Sequence, residues 1–131
     1  MASVFSKIIA REIPAHIVAE TASCIAFLDI SPLNYGHTLV VPKTEVDHIF
    51  DLEPAALADL MGFAQKVSKA IQKGGWGKRV GVAVIGLEVP HAHIHLVPIS
   101  GMRDIEFSKE KLKLSNEELH TIAEQIRGNF I

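Results

Sequence analysis

Turn-forming residues cut the first third of the chain into three short apolar runs, at residues 16–20, 24–30 and 37–42. Each carries β-branched or aromatic side chains, and the pattern predicts three strands. Pro14 and Pro42 mark ladder ends, because proline has no N–H to donate. Residues 3–10, with Val4, Phe5, Ile8 and Ile9, fit either one helical turn or a short strand. From residue 51 to 73 the period changes to about 3.6, with Leu57, Leu60, Met61, Ala64, Val67 and Ile71 on one stripe, which predicts a long helix. Asp51 or Glu53 can serve its free N–H groups, Pro54 suits its first turn, and Gly74-Gly75 stops it.

Residues 78–86 contain a continuous β-branched run, Arg79 to Ile85, of the kind found in a central strand. Gly86-Leu87-Glu88 then reads as a hairpin turn that lays residues 89–99 antiparallel beside it, with both strands in mid-sheet. Residues 100–113 are charged and irregular. Ser115 followed three residues on by Glu118 is a capping box that opens a last helix, with Leu119, Ile122, Ala123 and Ile126 as its apolar stripe. The order predicts a single α+β domain over residues 1–131. Its antiparallel sheet has about five strands, with a long central helix and a C-terminal helix on one face. The other sheet face needs cover, and a second copy of the chain is a natural source.

The chemistry concentrates in residues 89–99. In an extended strand side chains alternate between faces, so His91, His93 and His95 project from one side and Ala92, Ile94 and Leu96 from the other. Seven of the 131 residues are His, and three of them fall within five positions. Packing alone explains this poorly, because each ring brings two nitrogens that need hydrogen bonds. Two chemistries remain: three imidazoles can ligate a transition metal with an open position, or they can supply a nucleophile and its proton-handling neighbours. Asp29, where an apolar run hands over to a loop, can cap nearby N–H groups or contact a ligand.

Composition narrows the setting. A net charge of −2 with scattered Lys and Arg gives no basic field for nucleic acid; the densest group, Lys109, Lys111 and Lys113, reads as a solvated face that could reach a leaving group across a dimer. No apolar run approaches the ~18 residues needed to span a bilayer. Cys24 is the only cysteine, so no internal disulfide forms, and no secretion signal is visible. A reducing cytoplasm is the expected compartment.

The segment His91-Ala-His93-Ile-His95-Leu-Val matches the pattern of alternating histidines and apolar residues that marks the histidine triad (HIT) family, and the chain resembles that family in its nucleoside phosphoramidase branch. Glu12-Ile13-Pro14-Ala15, residues 26–32 and residues 36–43 resemble the family's N-terminal half in order and spacing. The resemblance implies homodimers whose sheets join, and hydrolases that cleave a purine nucleoside monophosphate from a group on its α-phosphate, with no cofactor. Carried onto this chain, it makes His93 the nucleophile that forms a nucleotidyl-histidine and His95 a phosphate contact that helps protonate the leaving group. His91 and His37 would hold and orient the nucleophile. Asp29 would bind the ribose hydroxyls, Ile13, Phe27 and Ile30 would flank the base, and Glu88 and Val89 would lie in the phosphate loop.

Two departures from the family pattern stand out. Bacterial relatives place Cys-x-x-Cys and a further His with the first triad histidine around zinc; here the corresponding positions are Ser3, Ser6 and Glu45, so no metal is expected. The loop before the triad, Gly86-Leu87-Glu88-Val89, lacks the polar phosphate contacts common there, and Glu88 would repel a phosphate if turned inward. The alternatives are a purine-nucleotide-binding module with little turnover, and a metal-dependent hydrolase using the three imidazoles as ligands.

Overall fold

A computed structural model describes residues 2–130. Five strands, β1 (Ile17–Glu20), β2 (Cys24–Leu28), β3 (Thr38–Pro42), β4 (Arg79–Ala83) and β5 (Ile94–Ile99), form one antiparallel sheet in the order β1-β2-β3-β5-β4. Three helices accompany it: α1 (Val4–Ile9), α2 (Pro54–Gln72) and α3 (Asn116–Gly128), with short 3-10 turns at Ile49–Asp51 and Met102–Ile105.

The register divides the core in two. Ala26 opposes Val40, and Val40 opposes Ile94. This face, with Val18, Leu28 and Leu96, packs under Leu60, Ala64, Val67 and Ile71 of α2 and Leu119, Ile122, Ala123 and Ile126 of α3. Adjacent positions on each strand point the opposite way. Ile17, Phe27, Leu39, His95 and Ala83 therefore form one row across all five strands on the second face. There α1 lays Phe5 and Ile8 over Ile25, Phe27, Leu39 and Val41. Two buried side chains of this size stabilise by roughly 1.5–3 kcal/mol each. With Ser3 as N-cap, accepting from the Ser6 N–H at 3.0 Å, they hold a helix of only six residues. The chain thus covers part of its own second face.

The expected α+β order is observed, and several details differ. Arg79–Ala83 is an edge strand rather than a central one: β5 sits between β3 and β4, and Val82 is 58% exposed. The hairpin is longer than Gly86-Leu87-Glu88, since β4 stops at Ala83 and β5 starts at Ile94. Residues 89–93 do not join the ladder: Pro90 has no N–H, and the Ala92 N–H bonds to the Val46 carbonyl at 2.7 Å instead. The long helix opens at Pro54, its N-cap Glu53 makes no side-chain cap bond, and Asp51 belongs to the preceding 3-10 turn. Met61 is 49% exposed on the edge of the expected stripe. The capping box is present in both directions: the Glu118 N–H donates to Ser115 Oγ and the Ser115 N–H to Glu118 Oε1, each at 3.0 Å.

Candidate active site

Two neighbouring backbone segments deliver the histidines. His95 lies in β5 opposite Leu39, His93 immediately precedes β5, and His37 immediately precedes β3. Gly36 makes the last approach possible, because its φ is +85° and a Cβ there would sit 2.7 Å from the Trp76 ring. The His93 and His95 rings meet edge to face with centroids 4.9 Å apart, and the His37 and His95 centroids are 5.3 Å apart.

Hydrogen-bond partners assign the tautomers of the site histidines. The Leu33 N–H donates to His37 Nδ1 at 2.9 Å, so His37 carries its proton on Nε2. That Nε2–H donates to His95 Nδ1 at 3.0 Å, which leaves the His95 proton on Nε2. His93 Nδ1–H donates to the His91 carbonyl at 2.7 Å, leaving a lone pair on Nε2. Among the described residues, no enclosed side-chain N or O lacks a partner. The two nitrogens without protein partners, His93 Nε2 and His95 Nε2, therefore open on the cavity, one as an acceptor or nucleophile and the other as a donor.

Burial keeps these rings neutral. It depresses the His37 pKa to about 3, helped by the charge of a protonated His95 and by Lys111, and the His95 pKa to about 4, helped by His93. His93 is also lowered by burial, against the pull of its bond to the His91 carbonyl and of Glu88. Burial raises the Asp29 pKa, opposed by the Ser31 N–H, which donates to Asp29 Oδ1 at 2.8 Å. That bond is the capping role, one of the two readings the sequence left open for Asp29. Its other oxygen, Oδ2, lies 3.6 Å from His37 Nε2.

The cavity in front of these groups measures about 740 Å³, within the range of small-molecule sites. Ile13, Phe27, Ile30 and Val89 line it together with Phe5 and Leu39, while Asp29, Glu88, His37, His93 and His95 supply its polar part. Of the residues that the resemblance assigns to catalysis or nucleotide binding, only His91 does not line it.

The His91 ring is fully enclosed, with Nε2–H donating to the Pro42 carbonyl at 2.8 Å and Nδ1 accepting from Ser3 Oγ at 2.7 Å. His91 thus reaches the nucleophile through its backbone carbonyl rather than its ring. His37 hydrogen-bonds to His95 rather than to His93. Three contributors were not read from the sequence: the Leu33 amide, Phe5 packed edge-on against His93 at 5.0 Å, and Phe107, whose ring lies 4.7 Å from that of His95.

Two metal sites can be tested on these contacts. Ser3, Ser6, Glu45 and His91 do converge, but as a closed hydrogen-bond network. Glu45 Oε1 accepts from the Ser3 N–H at 2.7 Å and from Ser6 Oγ at 2.6 Å, while Ser3 Oγ is committed to His91. Two hydroxyls in place of thiolates do not fit structural zinc. Asp29, His37 and His95 lie close enough for one ion, with ligand atoms within 4.8 Å of one another. The Leu33 amide, however, forces the proton onto His37 Nε2, the atom that would have to ligate, so this set does not fit a divalent ion in the present tautomer.

Fold and site together define a class: a small α+β protein with a polarised row of neutral imidazoles facing a nucleotide-sized cavity. The HIT domain family model matches residues 10–102, and the chain belongs to the HIT family. It is 33% identical over 128 residues to adenosine 5'-monophosphoramidase hnt1 of Schizosaccharomyces pombe, a match covering 91% of this chain and 96% of that protein. Among solved structures it resembles a Hit-like protein of Bartonella henselae, with TM-score 0.84, 30% identity and coverage of 97% of this chain and 95% of that one. A zinc-bound histidine triad protein of Mycobacterium smegmatis superposes with TM-score 0.82 at 25% identity, covering 99% and 94% of the two chains.

Proposed function

We propose that the chain is a nucleotide hydrolase of the phosphoramidase type, acting on purine nucleoside 5'-monophosphates joined through the α-phosphate to an amine or related group. The observation that carries this reading is the tautomer of His93, whose Nδ1–H is held by the His91 carbonyl so that Nε2 faces the cavity with its lone pair. Neutral imidazole at pH 7 can attack phosphorus without further activation. In the first step the Nε2–P bond forms and the bond from phosphorus to the leaving nitrogen breaks. The leaving nitrogen takes its proton from water in the cavity, while His95 Nε2–H, on a ring that stays neutral, donates a hydrogen bond to the phosphate. In the second step water breaks the P–Nε2 bond, yielding the nucleotide and returning a proton. Asp29 Oδ2 serves the ribose hydroxyls, and Phe27, Ile13 and Ile30 hold the base. His37 orients His95, and the His91 carbonyl orients His93.

The name of the fission-yeast relative, the family membership and the cavity support this reading. Hydrolysis of an adenosine 5'-phosphoramidate, followed by release of the free amine, tests it: the native chain turns over and His93→Ala does not. Undiminished turnover in His93→Ala overturns it. Glu88, which lines the cavity with His93, favours a second reading, a nucleotide-binding module with little turnover. AMP binding by calorimetry without turnover of any phosphoramidate selects that reading.

We further propose that the 131 residues act as one domain in the cytoplasm, as a homodimer that covers the β4 edge. The exposed Val82, Val84 and Ile85 at that edge support pairing with a second copy, and light scattering at the mass of one chain refutes it. No described helix is long and apolar enough to cross a membrane.

A further inference from the structure

Beyond the histidines, one strap of chain crosses the polar end of the cavity, and its contacts are not those of a solvated loop. Phe107 packs on both His95 and His37, with centroids 4.7 and 6.1 Å away, and the Leu112 N–H ties the strap to the Pro32 carbonyl at 2.9 Å. Between these anchors Lys111 Nζ donates to the Phe107 carbonyl and to the Lys109 carbonyl, the latter at 3.1 Å. Two carbonyls fix the ammonium in place without neutralising it, and among the described residues no carboxylate forms an ion pair with it. Lys111 is half-buried and is the only Lys or Arg lining the cavity among the described residues.

A phosphodiester-like substrate brings at least one negative charge into this space, and the charge must be held as phosphorus is attacked. The rings facing the cavity are neutral, Glu88 and Asp29 are acidic, and the loop Gly86-Leu87-Glu88-Val89 offers no cationic side chain. We propose that Lys111 is a further catalytic residue: its ammonium, held by the carbonyls of Phe107 and Lys109 on the wall of the cavity that His93 and His95 also line, contacts the α-phosphate and stabilises its charge during attack by His93. One of its three N–H donors remains after the two carbonyls are served, enough for one phosphate oxygen. With Glu88 on the same cavity, the pairing selects a singly charged phosphoryl group joined to a neutral or cationic amine over one joined to further phosphates.

This inference rests on the nucleotide reading of the site, and its test separates the two. Lys111→Gln keeps an N–H donor for the strap carbonyls but removes the charge; Lys111→Arg keeps the charge. Calorimetry with AMP and with adenosine, and turnover of an adenosine phosphoramidate, are measured for all three proteins. A hydrogen bond to a charged group implies a loss of about ten- to a hundred-fold in AMP affinity and in kcat/KM for Lys111→Gln. Adenosine affinity should stay within about twofold, and Lys111→Arg should recover most of the loss. Equal AMP affinity in Lys111→Gln and the native chain overturns the assignment, as does an equal loss for adenosine, which would mark a structural strap. A native chain that binds AMP but turns nothing over removes the hydrolase reading, while the AMP-to-adenosine contrast still decides Lys111.

Discussion

Replacing Ser3 by Ala removes two contacts at once, and the structure allows their sum to be worked out. Ser3 Oγ accepts the Ser6 N–H as N-cap of α1 and donates to the buried His91 Nδ1 at 2.7 Å. Loss of an N-cap costs about 0.5–2 kcal/mol, and an enclosed acceptor left without a donor costs about 1–3 kcal/mol. Partial relief is available from Ser6 Oγ, 3.5 Å from the same nitrogen, but only if it leaves Glu45 Oε1, where it bonds at 2.6 Å. The expected net loss is about 2–3 kcal/mol in urea unfolding at constant m, or roughly 8–12 °C in Tm for a chain of this size. Ser6→Ala, which breaks only a more exposed bond, should cost less than about 1 kcal/mol. Because His91 holds His93 through its carbonyl, Ser3→Ala should also lower kcat more than it raises KM. A Ser3→Ala protein within about 0.5 kcal/mol of the native chain, or one less damaged than Ser6→Ala, refutes the account.

Acid should destabilise the fold well before the carboxylates titrate. The folded-state pKa values of His37 and His95, about 3 and 4, lie below the unfolded value near 6.5, so below pH 6.5 the unfolded chain binds more protons. Stability should fall as pH drops through that window, by about 1.4 kcal/mol per pH unit for each ring; urea midpoints unchanged between pH 7 and 5 would contradict the buried neutral assignment. Turnover should persist below pH 6.5, since the pKa of His93 is also lowered, and a kcat/KM profile breaking at or above 6.5 would be inconsistent. The combined substitution Ser3→Cys, Ser6→Cys and Glu45→His, with His91 retained, should bind one zinc per chain by elemental analysis, because the four positions already converge. Absence of bound zinc in that folded variant would show that convergence alone is insufficient.

What the sequence revealed depended on how local each signal is. The helix of residues 54–72 and the Ser115–Glu118 box were legible because spacing and caps are local properties. The Arg79–Ala83 strand misled because a β-branched run reads alike in a central strand and in an open edge. Residues 89–93 look like strand until the long-range bond from Ala92 to Val46 is seen. His93 and His95 could be paired from alternation, and their rings do meet. The fate of His91, enclosed by Ser3 and Pro42, depends on residues 88 and 49 positions away, and no periodicity encodes that. Lys111 was hidden in a charged run whose path over the cavity is set by Phe107 and Leu112.

The polarity of the imidazole row originates in a main-chain group, the amide of Leu33. Nineteen of the twenty genetically coded residues would present the same N–H there, so natural drift in side chains at that position leaves the orientation of His37 and His95 untouched. Only proline removes it, and a Leu33→Pro protein would free both rings to reverse, converting a directional hydrogen-bond chain into an ambiguous one without altering a single histidine.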